Sequence, residues 1–249
     1  MVEGAKRPDT TRGAIGITGG ARGIGAALAL ELARRGFVVG CLTRGARLPE
    51  GAPPSMLAVE CDVGDDASLH RAVDALAARA GGLVGMVNNA GIHNEGPSET
   101  IPMADFDALM AVNMRAVFVG CRAAFPHLKT NGGTIVNIGS FFDKLAVPGN
   151  VAYCASKAAV GAITRCLAAE WAKHGIVVLD VAPGYVETDF NRAFMQNDKI
   201  QAWLKKRVPL GRAATLDEIA RLVGMLFGEA IPYLSGETIY IDGGHGHAL

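Results

Sequence analysis

"GAIGITGGARGIGAALALELARRG", Gly13 to Gly36, is the stretch whose reading sets the fold. "GAIGIT" is a short apolar run of the kind that forms a buried strand. "ARGIGAALALELARRG" reads as a helix: Ile24, Leu28 and Leu32 fall on one face, and Gly36 stops it. Between them lies "TGGARGIG", Thr18 to Gly25, with Gly19, Gly23 and Gly25 spaced G-x-x-x-G-x-G. A glycine turn from strand to helix lets the backbone approach a pyrophosphate, and the helix N-terminus offers free N–H groups and a favourable dipole. The competing reading is a tight turn that binds nothing.

Working outward, the same alternation repeats. "FVVGCLT", "MLAVECDV", "LVGMVNNAG", "GGTIVNIGS", "GIVVLDVAPG" and "GETIYIDGG" read as further strands. Helical patterns stand between them: "DDASLHRAVDALAARAGG", a long segment from about Met103 to Leu128, one from Asn150 to about His174, and "LDEIARLVGMLFGE". The strands are continuous apolar runs rather than period-two alternations. This predicts an α/β fold, a doubly wound parallel sheet of Rossmann type with helices on both faces. No repeat or linker divides the chain, so residues 1–249 read as one nucleotide-binding domain. The long interruption at about 185–212 reads as a lid, because ligands of such sheets sit beyond the carboxyl ends of the strands.

Composition narrows the function. The chain has 249 residues, half of them hydrophobic and 19% charged, so it can bury a large core. Its 24 basic and 24 acidic residues cancel, which argues against a nucleic-acid surface. Cys41, Cys61, Cys121, Cys154 and Cys166 form no C-x-x-C pair and read as reduced core thiols, with no metal site. The N-terminus "MVEGAKRPDTTRG" lacks an apolar signal core, and no apolar stretch reads as long enough to cross a bilayer. The expectation is a cytoplasmic protein without a membrane or nucleic-acid partner.

"NVAYCASKAAV", Asn150 to Val160, carries the chemistry. Tyr153 and Lys157 are four apart on a helix, hence neighbours on one face. Unit charges roughly 6 Å apart interact by about 3 kcal/mol at an effective dielectric near 20. That is about two pKa units, so Lys157 is expected to pull the Tyr153 phenol down toward the range useful for acid–base work.

The variant glycine spacing, "NNAG" at Asn88 to Gly91, and Tyr153-x-x-x-Lys157 occur in one order. Together they resemble the short-chain dehydrogenase/reductase family over essentially the whole chain after the N-terminal arm. The resemblance implies a catalytic set of Asn113, Ser140, Tyr153 and Lys157. Tyr153 donates the proton, Ser140 holds the substrate oxygen, Lys157 lowers the phenol pKa and binds the nicotinamide ribose, and Asn113 holds a relay water. It also implies a cofactor surface of Thr18, Gly19, Ala21, Arg22, Gly23, Ile24, Gly25, Thr43, Arg44, Asp62, Val63, Asn89, Ala90, Gly91, Tyr153, Lys157, Pro183, Gly184, Val186 and Thr188. Leu179 departs from the family's usual asparagine in the sixth strand. The bulky "FFDKLAVPGN" departs from its usual run of small residues.

The end of the second strand separates the two nicotinamide cofactors. A carboxylate there binds the ribose hydroxyls of NAD. Here Thr43 and Arg44 stand in its place, with Arg22 in the glycine loop, and guanidinium pairs with phosphate. The expectation is NADP(H). Hydride transfer would interconvert a ketone and a secondary alcohol on a small molecule. Phe141, Phe142, Tyr185, Phe190, Phe194 and Trp203 are candidate pocket walls, and Asp143 and Lys144 candidate polar contacts. A 3-oxoacyl-carrier-protein or acyl-CoA reductase is the alternative, which asks for basic residues at the site mouth. Lys129, Lys173 and His174 are sparse for that. A non-catalytic nucleotide-binding protein of the same fold is the other alternative. The family commonly forms homotetramers, and Ala158, Ala162 and Ala169 suit close helix contact.

Overall fold

The structure is a computed structural model that describes residues 13–188, 191–229 and 231–247. The N-terminal arm, Asp189, Phe190, Ala230, Ala248 and Leu249 lie outside the described residues. Seven parallel strands form one sheet in the order β3-β2-β1-β4-β5-β6-β7. They are β1 Ala14–Thr18, β2 Val38–Thr43, β3 Leu57–Glu60, β4 Leu83–Asn88, β5 Gly133–Ile138, β6 Ile176–Pro183 and β7 Thr238–Ile241. The order reverses between β1 and β4, so the two strands that carry the glycine turn and "NNAG" lie side by side.

Among the described residues eight α-helices accompany the sheet: α1 Gly23–Arg34, α2 Asp66–Ala80, α3 Met103–Met110, α4 Ala116–Leu128, α5 Val151–Trp171, α6 Arg192–Met195, α7 Asp198–Arg207 and α8 Leu216–Gly228. One apolar layer includes Leu69 and Val73 of α2, Val117 and Ala124 of α4, and Val160 and Leu167 of α5. The opposite layer joins Leu28 and Leu32 of α1 to Val223 and Phe227 of α8. Both faces of the sheet are therefore covered, which is why its strands carry apolar residues without alternation.

Three expectations change. The helix from Met103 to Leu128 is continuous but interrupted by a π-helical turn, Ala111–Arg115, where Ala116 N–H reaches back to the Ala111 carbonyl. At 26 residues this helix is long and apolar enough to cross a membrane by length and composition, contrary to the expectation that no stretch is. Half of its most apolar window is packed inside the protein, as for a core helix. Finally, only Cys41, Cys61 and Cys121 are buried thiols; Cys154 is half-buried and Cys166 exposed. Burial pushes the three core thiols up to about 12.

The segment at 185–212 is pinned at its base. Val186 bridges Ala214, Ala214 N–H donates to the Tyr185 carbonyl at 2.7 Å, and Glu187 N–H donates to the Ala214 carbonyl at 3.0 Å. Its own small core is Met195, Leu204 and Val208, against Tyr185, Ile200 and Ala213.

Candidate active site

The glycine turn and "NNAG" are stitched together by one side chain. Thr18 Oγ1 accepts N–H bonds from Asn89 at 2.9 Å and Ala90 at 3.0 Å, and Asn89 Nδ2 donates back to the Thr18 carbonyl at 2.9 Å. Gly19 turns with φ +68°. A Cβ on Gly25 would lie 2.3 Å from the Gly19 carbonyl oxygen, so only glycine permits this approach of helix to strand. Gly23 also has positive φ, and nothing lies within 4 Å of where its Cβ would be. The α1 N-terminus has no side-chain cap and no acidic residue in its first turn. Bare N–H groups, open space and a positive dipole end fit a dinucleotide's phosphates. Ala21 and Ile24 line this turn half-buried.

Arg22 and Arg44 are exposed and, among the described residues, carry no ion pair. Thr43 Oγ1 is taken by the Arg47 N–H at 2.8 Å, which shapes the loop after β2. Asp62 is exposed and accepts the Gly64 N–H at 2.9 Å, capping the turn after β3. Val63 packs half-buried against the α2 side of the core.

The four catalytic candidates converge at the carboxyl ends of β4, β5 and β6. The Asn113 amide grips the Ile92 backbone from both sides, accepting its N–H and donating to its carbonyl at 2.8 Å each, and leans on Ser156 Oγ at 3.4 Å. The π turn delivers this residue, and such turns recur at functional sites. Gly91 lies against Asn113; a Cβ there would sit 3.3 Å from Asn113 Oδ1. Ser140 follows β5, is buried, accepts the Phe142 N–H at 3.3 Å, and its hydroxyl faces the Tyr153 phenol. Lys157 is buried, and its Nζ donates to the Ile138 carbonyl at 2.7 Å.

The expected acidification of Tyr153 by Lys157 does not occur with the chain's own groups. Lys157 Nζ sits 5.6 Å from the Tyr153 ring centroid and is turned to the Ile138 carbonyl. Burial pushes the phenol above its ordinary value, and the nearby Ser140 hydroxyl opposes this only in part. Burial also lowers Lys157 itself to about 8, against the opposing pull of Asp180.

Beyond β6, Gly184 N–H donates to the Ile241 carbonyl at 3.0 Å, and a Cβ on Gly184 would meet Asp242 Cα at 2.7 Å, so the Pro183–Gly184 turn is wedged against β7. Val186 is buried. Thr188 is locked to Asn191, its N–H donating to Asn191 Oδ1 at 2.7 Å.

The aromatic candidates sort themselves. Phe142 meets the Tyr153 ring edge-on at 5.7 Å, and Phe141, Tyr185 and Trp203 continue the cluster toward the lid. Phe194 is 60% exposed and outside it; Phe190 lies outside the described residues. Asp143 and Lys144 are engaged with Tyr240, Asp143 half-buried and Lys144 exposed. Asp143 Oδ2 accepts the Tyr240 hydroxyl at 2.6 Å, and Lys144 Nζ lies 3.3 Å over the Tyr240 ring.

Lys129, Lys173 and His174 precede β5 and β6, so within the chain they lie at the sheet edge opposite the site and carry no weight about its mouth. Sequence reasoning missed His93, whose ring meets Tyr153 at 4.8 Å and whose Nε2 lies 2.6 Å from Asn150 Oδ1. It missed His245, which packs on Phe141 and Tyr185. A separate cavity of about 560 Å³, between α8 and the lid base, is lined by Arg35, Arg212, Glu218 and Met225 among others and contains none of the catalytic candidates.

Comparison with known proteins agrees with this geometry. Residues 19–246 match a family profile described as enoyl-(acyl carrier protein) reductase. The chain is 35% identical over 237 residues to D-threitol dehydrogenase of Mycolicibacterium smegmatis, covering 92% of this chain and 91% of that protein. It is 35% identical over 245 residues to the 3-oxoacyl-[acyl-carrier-protein] reductase MabA of Mycobacterium tuberculosis, covering 98% and 96%. Among solved structures, a gluconate 5-dehydrogenase from Burkholderia cenocepacia in complex with NADP and tartrate superposes with a TM-score of 0.86 at 33% identity, covering 97% of this chain and 99% of the other. The chain belongs to the short-chain dehydrogenase/reductase family.

Proposed function

We propose that this protein is an NADP(H)-dependent oxidoreductase that interconverts a small-molecule ketone and its secondary alcohol. The observation that carries this is the convergence of Ser140, Tyr153 and Lys157 beside a glycine cradle with an uncapped helix N-terminus. When bound, the nicotinamide supplies or accepts the hydride. Tyr153 exchanges a proton with the substrate oxygen, and Ser140 fixes that oxygen where charge develops. Lys157 would hold the cofactor ribose through its ammonium group. The Asn113 amide, bonded both ways to Ile92, holds the segment after β4 in place beside the site.

Exposed Arg44 just after β2 and exposed Arg22 in the glycine turn, with no carboxylate at the end of β2, support NADP(H) over NAD(H). One relative's structure was solved with NADP, in line with that choice. The segment 185–212, hinged at the Val186–Ala214 bridge, serves as the substrate lid of a single domain. Exposed Ala158, Ala162 and Ala169 along α5 support a homotetramer, and the free thiols support a cytoplasmic setting.

The test is a ketone panel assayed with NADPH and NADH on the wild type, Tyr153→Phe and Arg44→Asp. Tyr153→Phe is expected to lose at least about a hundredfold in kcat while binding cofactor normally. Arg44→Asp is expected to shift preference toward NADH. Near-normal turnover by Tyr153→Phe, or a wild-type preference for NADH, would sink the corresponding part.

A further inference from the structure

Asp180 is a carboxylate with no exposed surface, in the middle of β6. An isolated buried carboxylate is too costly to keep, so its surroundings must explain it. It belongs to a polar row that crosses four strands in register: Asn88 on β4, Asn137 on β5, Asp180 on β6 and Thr238 on β7. Asn88 Nδ2 donates to Asn137 Oδ1 at 2.8 Å, Asn137 Nδ2 to Thr164 Oγ1 of α5 at 2.9 Å, and Thr238 Oγ1 to Asp180 Oδ2 at 3.1 Å. Asp180 Oδ1 has no hydrogen-bond partner.

The carboxylate lies against Gly139; a Cβ there would be 2.4 Å from Asp180 Oδ1. Gly139 separates Ile138, whose carbonyl holds the Lys157 ammonium, from Ser140, which faces Tyr153. On α5, Lys157, Gly161 and Arg165 are spaced i, i+4 and i+8, one stripe of the helix. Gly161 leaves the gap into which the carboxylate fits: its Cβ would lie 3.8 Å from Asp180 Oδ2 and 3.3 Å from the Arg165 guanidinium. A buried anion therefore sits under a glycine flanked by two cations, one buried and catalytic, one exposed.

The other charged groups around it are Asp143, which repels it from the turn after Ser140, and Tyr240 on β7, which bonds Asp143 and lies under Lys144. Arg165 and Lys144 are solvent-exposed and screened. Lys157 is the buried cation that shares the low-dielectric interior with Asp180.

We propose that Asp180 is the counter-charge that holds Lys157 as an ammonium ion behind the catalytic tyrosine, a positioning residue acting through the lysine. Its consequence for turnover rests on the hydride-transfer reading above; the charge state of Lys157 does not. Asp180 raises the proton affinity of Lys157 against the burial that lowers it. In return, burial brings Asp180 up to about 6, the Thr238 and Lys157 partners restraining the rise.

The experiment is NMR titration of the full chain with isotope-labelled lysine, with the Lys157 signal assigned by its loss in Lys157→Met. Asp180→Asn keeps size and the Thr238 bond but removes the charge. The Lys157 midpoint is expected to fall by about one unit, the size of an opposite-charge effect at close range. Asp180→Ala, which also removes the charge and leaves no polar group in its place, is expected to move the midpoint the same way, and serves if Asp180→Asn does not fold. A curve superimposable on the wild type in either folded variant overturns the proposal. With an active ketone in hand, the alkaline limb of kcat/KM is expected to move down with the midpoint. If the wild type reduces no ketone at all, the hydride-transfer reading fails while the lysine titration still decides the role of Asp180.

Discussion

Replacing Thr18 with Val tests the joint between the glycine turn and "NNAG". Valine copies the shape of threonine and lacks its oxygen. Thr18 is 3% exposed, and its Oγ1 accepts the N–H groups of Asn89 at 2.9 Å and Ala90 at 3.0 Å. Each donor left without a partner costs about 1–3 kcal/mol, so the pair costs roughly 2–6 kcal/mol. Asn89 and Ala90 are half-buried, and water recovers part of that loss, which places the expectation at about 2–4 kcal/mol. Whole-domain stabilities run about 5–15 kcal/mol, so the variant folds but is visibly weakened. With a urea slope near about 3 kcal/mol per M, the midpoint drops by roughly 1 M. Thr18→Ser, which keeps the oxygen, is the control and should stay close to wild type. Because the same amides form the proposed cofactor floor, calorimetry should also show NADPH binding weakened at least about tenfold in the valine variant. A valine variant whose midpoint and affinity both match wild type would refute the claim that this oxygen joins the two motifs.

Two further substitutions extend the test. Gly25→Ala places a Cβ 2.3 Å from the Gly19 carbonyl and 2.6 Å from Asn89 Nδ2, so the turn must open; NADPH binding is expected to fall about a hundredfold or more in calorimetry. Gly23→Ala meets nothing within 4 Å and carries only left-handed backbone strain of about 1–2 kcal/mol, so it should bind far better than Gly25→Ala. Glu218 caps α8 with Thr215 and bonds Arg212 at 2.7 Å and 2.9 Å, which brings its carboxyl down to about 2. A depressed acid stabilises the fold above its unfolded pKa, and that contribution is lost as pH falls from about 4.5 to 2. The site is partly exposed, so Glu218→Gln is expected to cost only about 1 kcal/mol near pH 7, and urea midpoints of variant and wild type should approach each other at low pH.

Much of this architecture is readable along the chain because its causes are local. Apolar runs, helical spacing and glycine stops place every strand and the main sheet-packing helices to within a few residues, since each depends on neighbours in sequence. The G-x-x-x-G-x-G turn and the Tyr153–Lys157 spacing are local in the same sense. They mark the glycine turn and the Tyr153–Lys157 neighbours from the chain alone.

What failed depends on residues distant in sequence. The four-residue spacing correctly makes Tyr153 and Lys157 neighbours, but it says nothing about the Ile138 carbonyl, which comes from β5 and turns the ammonium away from the phenol. Nor does it carry the burial that raises the tyrosine and lowers the lysine. Lys129 and Lys173 read as plausible mouth residues until strand direction puts them at the far edge of the sheet. Asp180 reads as one acidic residue in an apolar strand. Its meaning appears only when register sets it between Asn137 and Thr238 and α5 brings Lys157 over it. Periodicity reports which side of an element is buried; charge and proton affinity depend on what lies opposite, and packing of the sheet against α5 supplies that.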